Sequence, residues 1–205
     1  MEARKLEQQE STGVLEVGTL APNFRLASAQ GGEVALEDYR GQKHVILWFS
    51  RGIFCPFCRR YMTQLRLGYP QIQDRGAEIL QVTWNTPEEA RLYFQQYQLL
   101  FPYLCDPERA VYPLYGIRMI HEPVQARLAG MAMGTMAALS DRLFRGEKTP
   151  SPLPVMKRYG ATDMEQQAVF IIDKSGTIRY TYASNTFGGL PSNAEYLRQL
   201  ERLQS

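Results

Sequence analysis

Residues 44–50 read HVILWFS. After a short gap the chain reads CPFC, and a pattern of helical period follows at once. A short, continuous apolar run of this kind is buried on both faces of a sheet, which makes it a central strand. From Pro56 onward, Cys58, Tyr61, Met62 and Leu65 recur at helical spacing. Pro56 suits a first helical position, because the N–H it lacks has no partner there in any case. The corner is therefore a strand handing over to a helix N-terminus, with Cys55 and Cys58 placed on it.

The same alternation continues along the chain and argues for an α/β fold. AEILQVTW (77–84) is a second buried strand. It ends on Trp84 at the carboxyl edge of the sheet, where ligands gather in α/β folds, although a core tryptophan reads equally well there. In the following TPEEARLYFQQYQ, Thr86 caps a helix, Pro87 opens it and Glu89 completes a capping box. VFIIDKSGTIRYTY (169–182) reads as a β-hairpin with its turn at 173–176. Ser192 with Glu195 opens a last, amphipathic helix. Between Arg118 and Gln167 the alternation breaks. EPVQARLAGMAMGTMAALSDRLF puts Val124, Leu128, Met131, Thr135, Met136, Leu139 and Leu143 on one helical face, and GEKTPSPLP is loop. Residues 118–167 thus read as a helical and loop insertion within a single domain of residues 1–205. Its methionine-rich face is expected to pack as core; the alternatives are an adaptable apolar wall beside the cysteines or a homodimer interface.

Composition excludes several classes of partner. A net charge of +2, with Lys and Arg evenly spread, gives no basic stripe for nucleic acid. The start, MEARKLEQQES, is charged where a secretory signal needs an apolar core, and no run approaches the roughly 18 apolar residues of a membrane helix. The expected setting is the cytoplasm, without a membrane partner. Three cysteines in 205 residues make no disulfide framework, and a reducing compartment disfavours a permanent bridge. A structural zinc site needs about four ligands, and beyond the pair only Cys105, His44 and His121 are offered, at no matching spacing. No metal or other cofactor is expected. The two histidines read as surface or loop residues.

Redox chemistry accounts for the pair better than two inert buried thiols do. The thiolate is the nucleophile in sulfur exchange. A cysteine at a helix N-terminus feels unpaired N–H groups and the positive end of the dipole, which favour that form. In C-x-x-C motifs the first cysteine typically titrates at ~3.5–7.5; here Arg51, Arg59 and Arg60 add nearby positive charge. Cys55 is the expected nucleophile and Cys58, one helical turn on, the expected resolving thiol. An external thiol, thioredoxin-like or of low molecular weight, must then reduce the bridge. Cys105 is read as a packed or tolerated residue outside the mechanism.

Four stretches also carry a resemblance. VGTLAPNFRLASAQGGEVALEDYRGQKHVILWF, CPFC, FPYLCDPERAVYPLYGI and AVFIIDKSGTIRY are similar to successive blocks of the alkyl hydroperoxide reductase / thiol-specific antioxidant family, the peroxiredoxin-like branch of the thioredoxin fold. The resemblance implies a central mixed sheet flanked by helices, Cys55 at the peroxidatic position, and Asp106, Tyr115 and Gly116 in the block after the third strand. The chain departs from that pattern before the cysteine. Gly52 stands where the family has threonine, and Gln167 where it has arginine; Arg51 or Arg118 is a candidate substitute for the latter. The short loop and CPFC resemble thioredoxin instead, yet EQQAVF lacks the proline that thioredoxins carry before the facing strand. Thiol-disulfide exchange is therefore ranked first and hydroperoxide reduction through Cys55 second. A non-catalytic thioredoxin-fold binding module comes third, because such a module has no need of a thiol pair.

Overall fold

The computed structural model describes residues 13–95, 97–120, 164–184 and 189–204, together with the helical positions Ala132, Met136 and Leu139. Nine strands are described: β1 (Arg25–Ser28), β2 (Glu33–Ala35), β3 (His44–Phe49), β4 (Ala77–Thr83), β5 (Tyr103–Cys105), β6 (Met119–Ile120), β7 (Met164–Glu165), β8 (Gln167–Ile172) and β9 (Ile178–Ser184). Three α-helices accompany them: α1 (Pro56–Asp74), α2 (Pro87–Phe94) and α3 (Asn193–Gln204). Seven strands form one sheet in the order β2-β1-β5-β4-β3-β8-β9. β3, β4 and β5 are parallel at its centre, and β1, β2, β8 and β9 pair antiparallel on the flanks. The sheet is mixed and the fold is thioredoxin-like, as the alternation and the resemblance imply.

β3 is central for the reason its composition suggests. All six residues are buried, with β4 on one side and β8 on the other, so that Ile46 lies opposite both Ile79 and Ile171. The period of two then sorts its side chains into two cores. Ile46 and Trp48 join Leu65 of α1 and Tyr196 and Leu200 of α3 on one face. Val45, Leu47 and Phe49 join Phe24, Tyr112, Tyr115 and Phe170 on the other. Phe49 packs tightly there, its ring centroid 4.9 Å from Tyr115 and 5.2 Å from Tyr112.

The helix boundaries follow the capping signals. Thr86 Oγ1 accepts from the Glu89 N–H while Glu89 accepts from the Thr86 N–H, the reciprocal pair expected at the start of α2. Glu195 N–H donates to Ser192 Oγ at the start of α3. α3 crosses α1 closely because Gly68 has no side chain: a Cβ there would lie 2.2 Å from Asn193 Nδ2, which instead donates to the Gln64 carbonyl at 2.7 Å.

Two expectations need correction. His44 is buried, not a surface residue. It opens a central strand, so the backbone carries it inside, and burial, with Lys174 adding and Asp173 opposing, lowers its pKa below the usual imidazole value. Met136 and Leu139, assigned to the packed face of the insertion, are 72% and 55% exposed. Periodicity shows which residues share a face but not what that face meets. Val124, Leu128, Met131, Thr135 and Leu143, and most of the insertion with them, lie outside the described residues. At its two ends β6 pairs with β7, and Gln166 N–H donates to the Arg118 carbonyl. No described helix is long and apolar enough to cross a membrane.

Candidate active site

Cys55 is the N-cap of α1, in extended conformation, with Pro56 in the first turn. Its Sγ accepts the Cys58 N–H at 3.3 Å, so a sulfur takes the part that a serine or aspartate oxygen usually plays at such a cap. Both thiols are free and buried, Cys55 at 2% and Cys58 at 0% exposure. Cys58 also directs its S–H toward Gln167 Oε1, 3.3 Å away at the start of β8. The one proton on Cys58 therefore has two acceptors, the amide oxygen and the Cys55 sulfur.

These contacts split the two thiols. Burial pushes the Cys55 thiol up, but hydrogen bonds from the Cys58 S–H and N–H, and the charges of Arg51 and Arg59, more than offset it and bring the group below the ordinary cysteine value. Cys58 is driven well above that value by burial, by the proton it gives to Cys55 and by the negative charge of Cys55 itself. Of the two sulfurs it is therefore Cys55 that loses its proton first, with Cys58 kept as the thiol beside it, the order of ionisation that sulfur exchange needs.

The arginines differ in what they do. Arg51 is only 2% exposed and acts on both sulfurs. Arg59 reaches back from the first turn of α1 and donates through Nη1 to the Ile53 carbonyl at 2.8 Å and the Phe54 carbonyl at 3.2 Å. Arg118 is exposed, with its guanidinium over Gly13, and it has no place among the charges acting on Cys55. Trp84 follows β4 directly, is buried, and stacks on Phe54 with centroids 5.7 Å apart; the Arg109 guanidinium lies 5.5 Å from its ring. It therefore packs against the loop next to Cys55.

Sequence reasoning missed a polar network under the same loop. Ser50 Oγ accepts from Gly52 N–H at 3.3 Å and from Gln81 Nε2 at 2.9 Å. Asn85 Oδ1 accepts from Ile53 N–H at 3.1 Å and Tyr103 O–H at 2.7 Å, while its Nδ2 donates to Glu89 Oε2 at 2.9 Å. Ser50, Gln81 and Asn85 are completely buried. The available signal was a polar residue at the carboxyl end of an apolar strand, Ser50 after β3 and Asn85 two residues after β4.

A family model described as the AhpC/TSA family matches residues 17–134, more than half of the chain. The chain belongs to that family. The thiol-disulfide oxidoreductase ResA of Geobacillus thermodenitrificans is 38% identical to it over 102 residues, which cover 49% of this chain and 58% of that protein. Alkyl hydroperoxide reductase E of Mycobacterium tuberculosis is 32% identical over 106 residues, 51% of this chain and 69% of that one. The chain thus spans somewhat under three fifths of the ResA relative it matches. In fold it is similar to peroxidoxin BcpB from Mycobacterium tuberculosis, with a TM-score of 0.65 and 13% identity over 93% of this chain and 99% of that one. The AhpC/TSA match ends at residue 134, so β8 and Gln167 lie beyond it.

Proposed function

We propose that this protein is a thiol-disulfide oxidoreductase that cycles Cys55 and Cys58 between dithiol and disulfide. The observation that carries the reading is the Cys58 N–H on Cys55 Sγ at 3.3 Å, with the two thiols driven apart in acidity. The Cys55 thiolate attacks one sulfur of a substrate disulfide; the S–S bond breaks, one substrate thiolate leaves, and Cys55 is joined to the other half as a mixed disulfide. Loss of negative charge on Cys55 removes a main cause of the high Cys58 pKa. Cys58 then gives up its proton and attacks Cys55 Sγ, releasing the second substrate thiolate. Two electrons have passed to the substrate, and an external thiol donor restores the pair. Three cysteines in 205 residues make no disulfide framework, and the cytoplasm is the proposed setting.

Arg51, buried beside both sulfurs, favours a second reading, a thiol-dependent peroxidase. There the Cys55 thiolate attacks a hydroperoxide and the O–O bond breaks; Cys55 becomes a sulfenic acid that keeps the hydroperoxide's proton, and the alkoxide takes a proton from water and leaves as alcohol. Cys58 then condenses with it, releasing water. Peroxide cleavage needs donors on the leaving oxygen, and losing one commonly costs on the order of 10²-fold. Gly52 has no side-chain donor, and the Gln167 amide is neutral with its oxygen engaged by Cys58. Exchange therefore ranks first. Disulfide reduction and hydrogen peroxide consumption, measured side by side with one donor, test the order. Exchange is expected to dominate, with a Cys55–Cys58 bridge in peptide maps of the oxidised protein. Oxidation of Cys55 by peroxide much faster than that of a free thiolate would put the peroxidase first.

A further inference from the structure

In the loop that delivers Cys55, Ile53 is held at both its N–H and its carbonyl. Ile53 is fully buried; its N–H is held by Asn85 Oδ1 at 3.1 Å and its carbonyl by Arg59 Nη1 at 2.8 Å. One grip comes from the end of β4 and the other from the helix that Cys55 caps. The orientation of the Asn85 amide is determined by its partners. Two donors, Ile53 N–H and Tyr103 O–H, meet the oxygen, and the Glu89 carboxylate meets the nitrogen. Glu89 is itself held by the capping box of α2.

The same amide presses on the preceding residue. Gly52 has φ of +72°, and a Cβ built there would lie 2.4 Å from Asn85 Oδ1. No real Cβ contact is that short, and the oxygen cannot retreat without releasing Ile53 and Tyr103. The absence of a side chain at residue 52 and the presence of an amide at residue 85 are thus two halves of one contact.

We propose that Asn85 is the positioning residue of the Cys55 loop, holding Ile53 so that Cys55 Sγ meets the Cys58 N–H, and that Gly52 is its steric counterpart. The proposal deepens the dithiol reading above and rests on Cys55 being the nucleophile. Removing the amide leaves Ile53 N–H buried without its acceptor, loosens residues 52–54, and weakens the alignment that favours the Cys55 thiolate. Asn85 touches neither sulfur in this scheme; it acts through the backbone.

Two measurements on the full chain test it, and neither needs a substrate or a donor. The first is the pH profile of Cys55 alkylation in Asn85→Ala, with Val45→Ala, a truncation in the opposite core, as the stability control. The apparent Cys55 pKa is expected to rise by about half a unit to one unit in Asn85→Ala and to stay put in Val45→Ala, although both unfold earlier. An unmoved profile in Asn85→Ala would overturn the proposal. The second is a double-mutant cycle with Gly52→Ala, read as urea midpoints. The left-handed backbone strains alanine in both backgrounds and cancels in the cycle, so the coupling reads the 2.4 Å contact. Gly52→Ala is expected to lower the midpoint more in the natural chain than beside Asn85→Ala; simple additivity would refute the steric pairing. Should Asn85→Ala not fold, Asn85→Ser carries the same cycle with a shorter side chain. A chain without disulfide reductase activity would defeat the functional reading and leave both of these results standing.

Discussion

Cys55 and Cys105 lie in the same hydrophobic core and are equally hidden, at 2% and 3% exposure, yet their thiols shift in opposite directions. Cys105 ends β5, paired in register with Thr83 and Ala27, and burial pushes it up to about 12, with Arg91 opposing and Glu88 and Glu89 adding to the rise. Cys55 suffers the same burial and still falls below the ordinary value. The difference is the donor set. A strand end offers its residue a sheet ladder, whereas a helix N-terminus offers unpaired N–H groups, and here the Cys58 N–H and S–H and two guanidinium groups converge on Cys55. Concealment alone therefore says nothing about which cysteine reacts.

The largest effect expected from that contrast is in alkylation. In a Cys58→Ser variant at pH 7, Cys55 should react with iodoacetamide at least ~10³-fold faster than Cys105, since rate follows the thiolate fraction. Site-resolved mass spectrometry reads both rates in one sample, and a ratio near ten would break the comparison.

A smaller effect sharpens it by removing donors singly. Arg51→Met and Arg59→Met should each raise the apparent Cys55 pKa by about one unit, while Cys105 stays unchanged. Arg59→Met should have the larger effect, because it also frees the Ile53 and Phe54 carbonyls. If neither substitution moves Cys55, the hydrogen bonds from Cys58 carry the whole shift.

The smallest effect is on stability in alkali. The folded-state pKa of Cys105 is raised, so its neutral form favours the folded chain below its unfolded value near 9, and that contribution is lost as pH rises toward about 12. Cys105→Ala should lower the urea midpoint at every pH through lost packing, yet decline less than the natural chain between pH 9 and 12. The tyrosines that titrate in the same range are common to both chains and drop out of the difference. Parallel declines would show that Cys105 is not held in its neutral form.

Much of the site was legible before any coordinates. The apolar run at 44–49, Pro56 behind Cys55 and the Thr86–Glu89 box are signals carried within about four residues, and each produced the element it implies. The departures at Gly52 and Gln167 were also visible, but not their consequences. Gln167 was compared with an arginine for peroxide binding; in the fold its oxygen instead meets Cys58, 109 residues earlier in the chain. Arg118 looked as suitable as Arg51 by composition and lies over Gly13 instead.

Sequence alone was enough for the strand–helix corner and the cysteine pair on it, because caps, turns and hydrophobic period are short-range properties of a chain. Only the tertiary structure decided which charges reach Cys55, that Asn85 grips Ile53 across 32 residues, that His44 is buried, and that Cys105 lies at a buried strand end where burial raises its pKa. Those outcomes depend on which strand ends the sheet order brings side by side. β3, β4 and β5 meet at one edge through parallel pairings whose partners are far apart in sequence, and no local pattern records that distance.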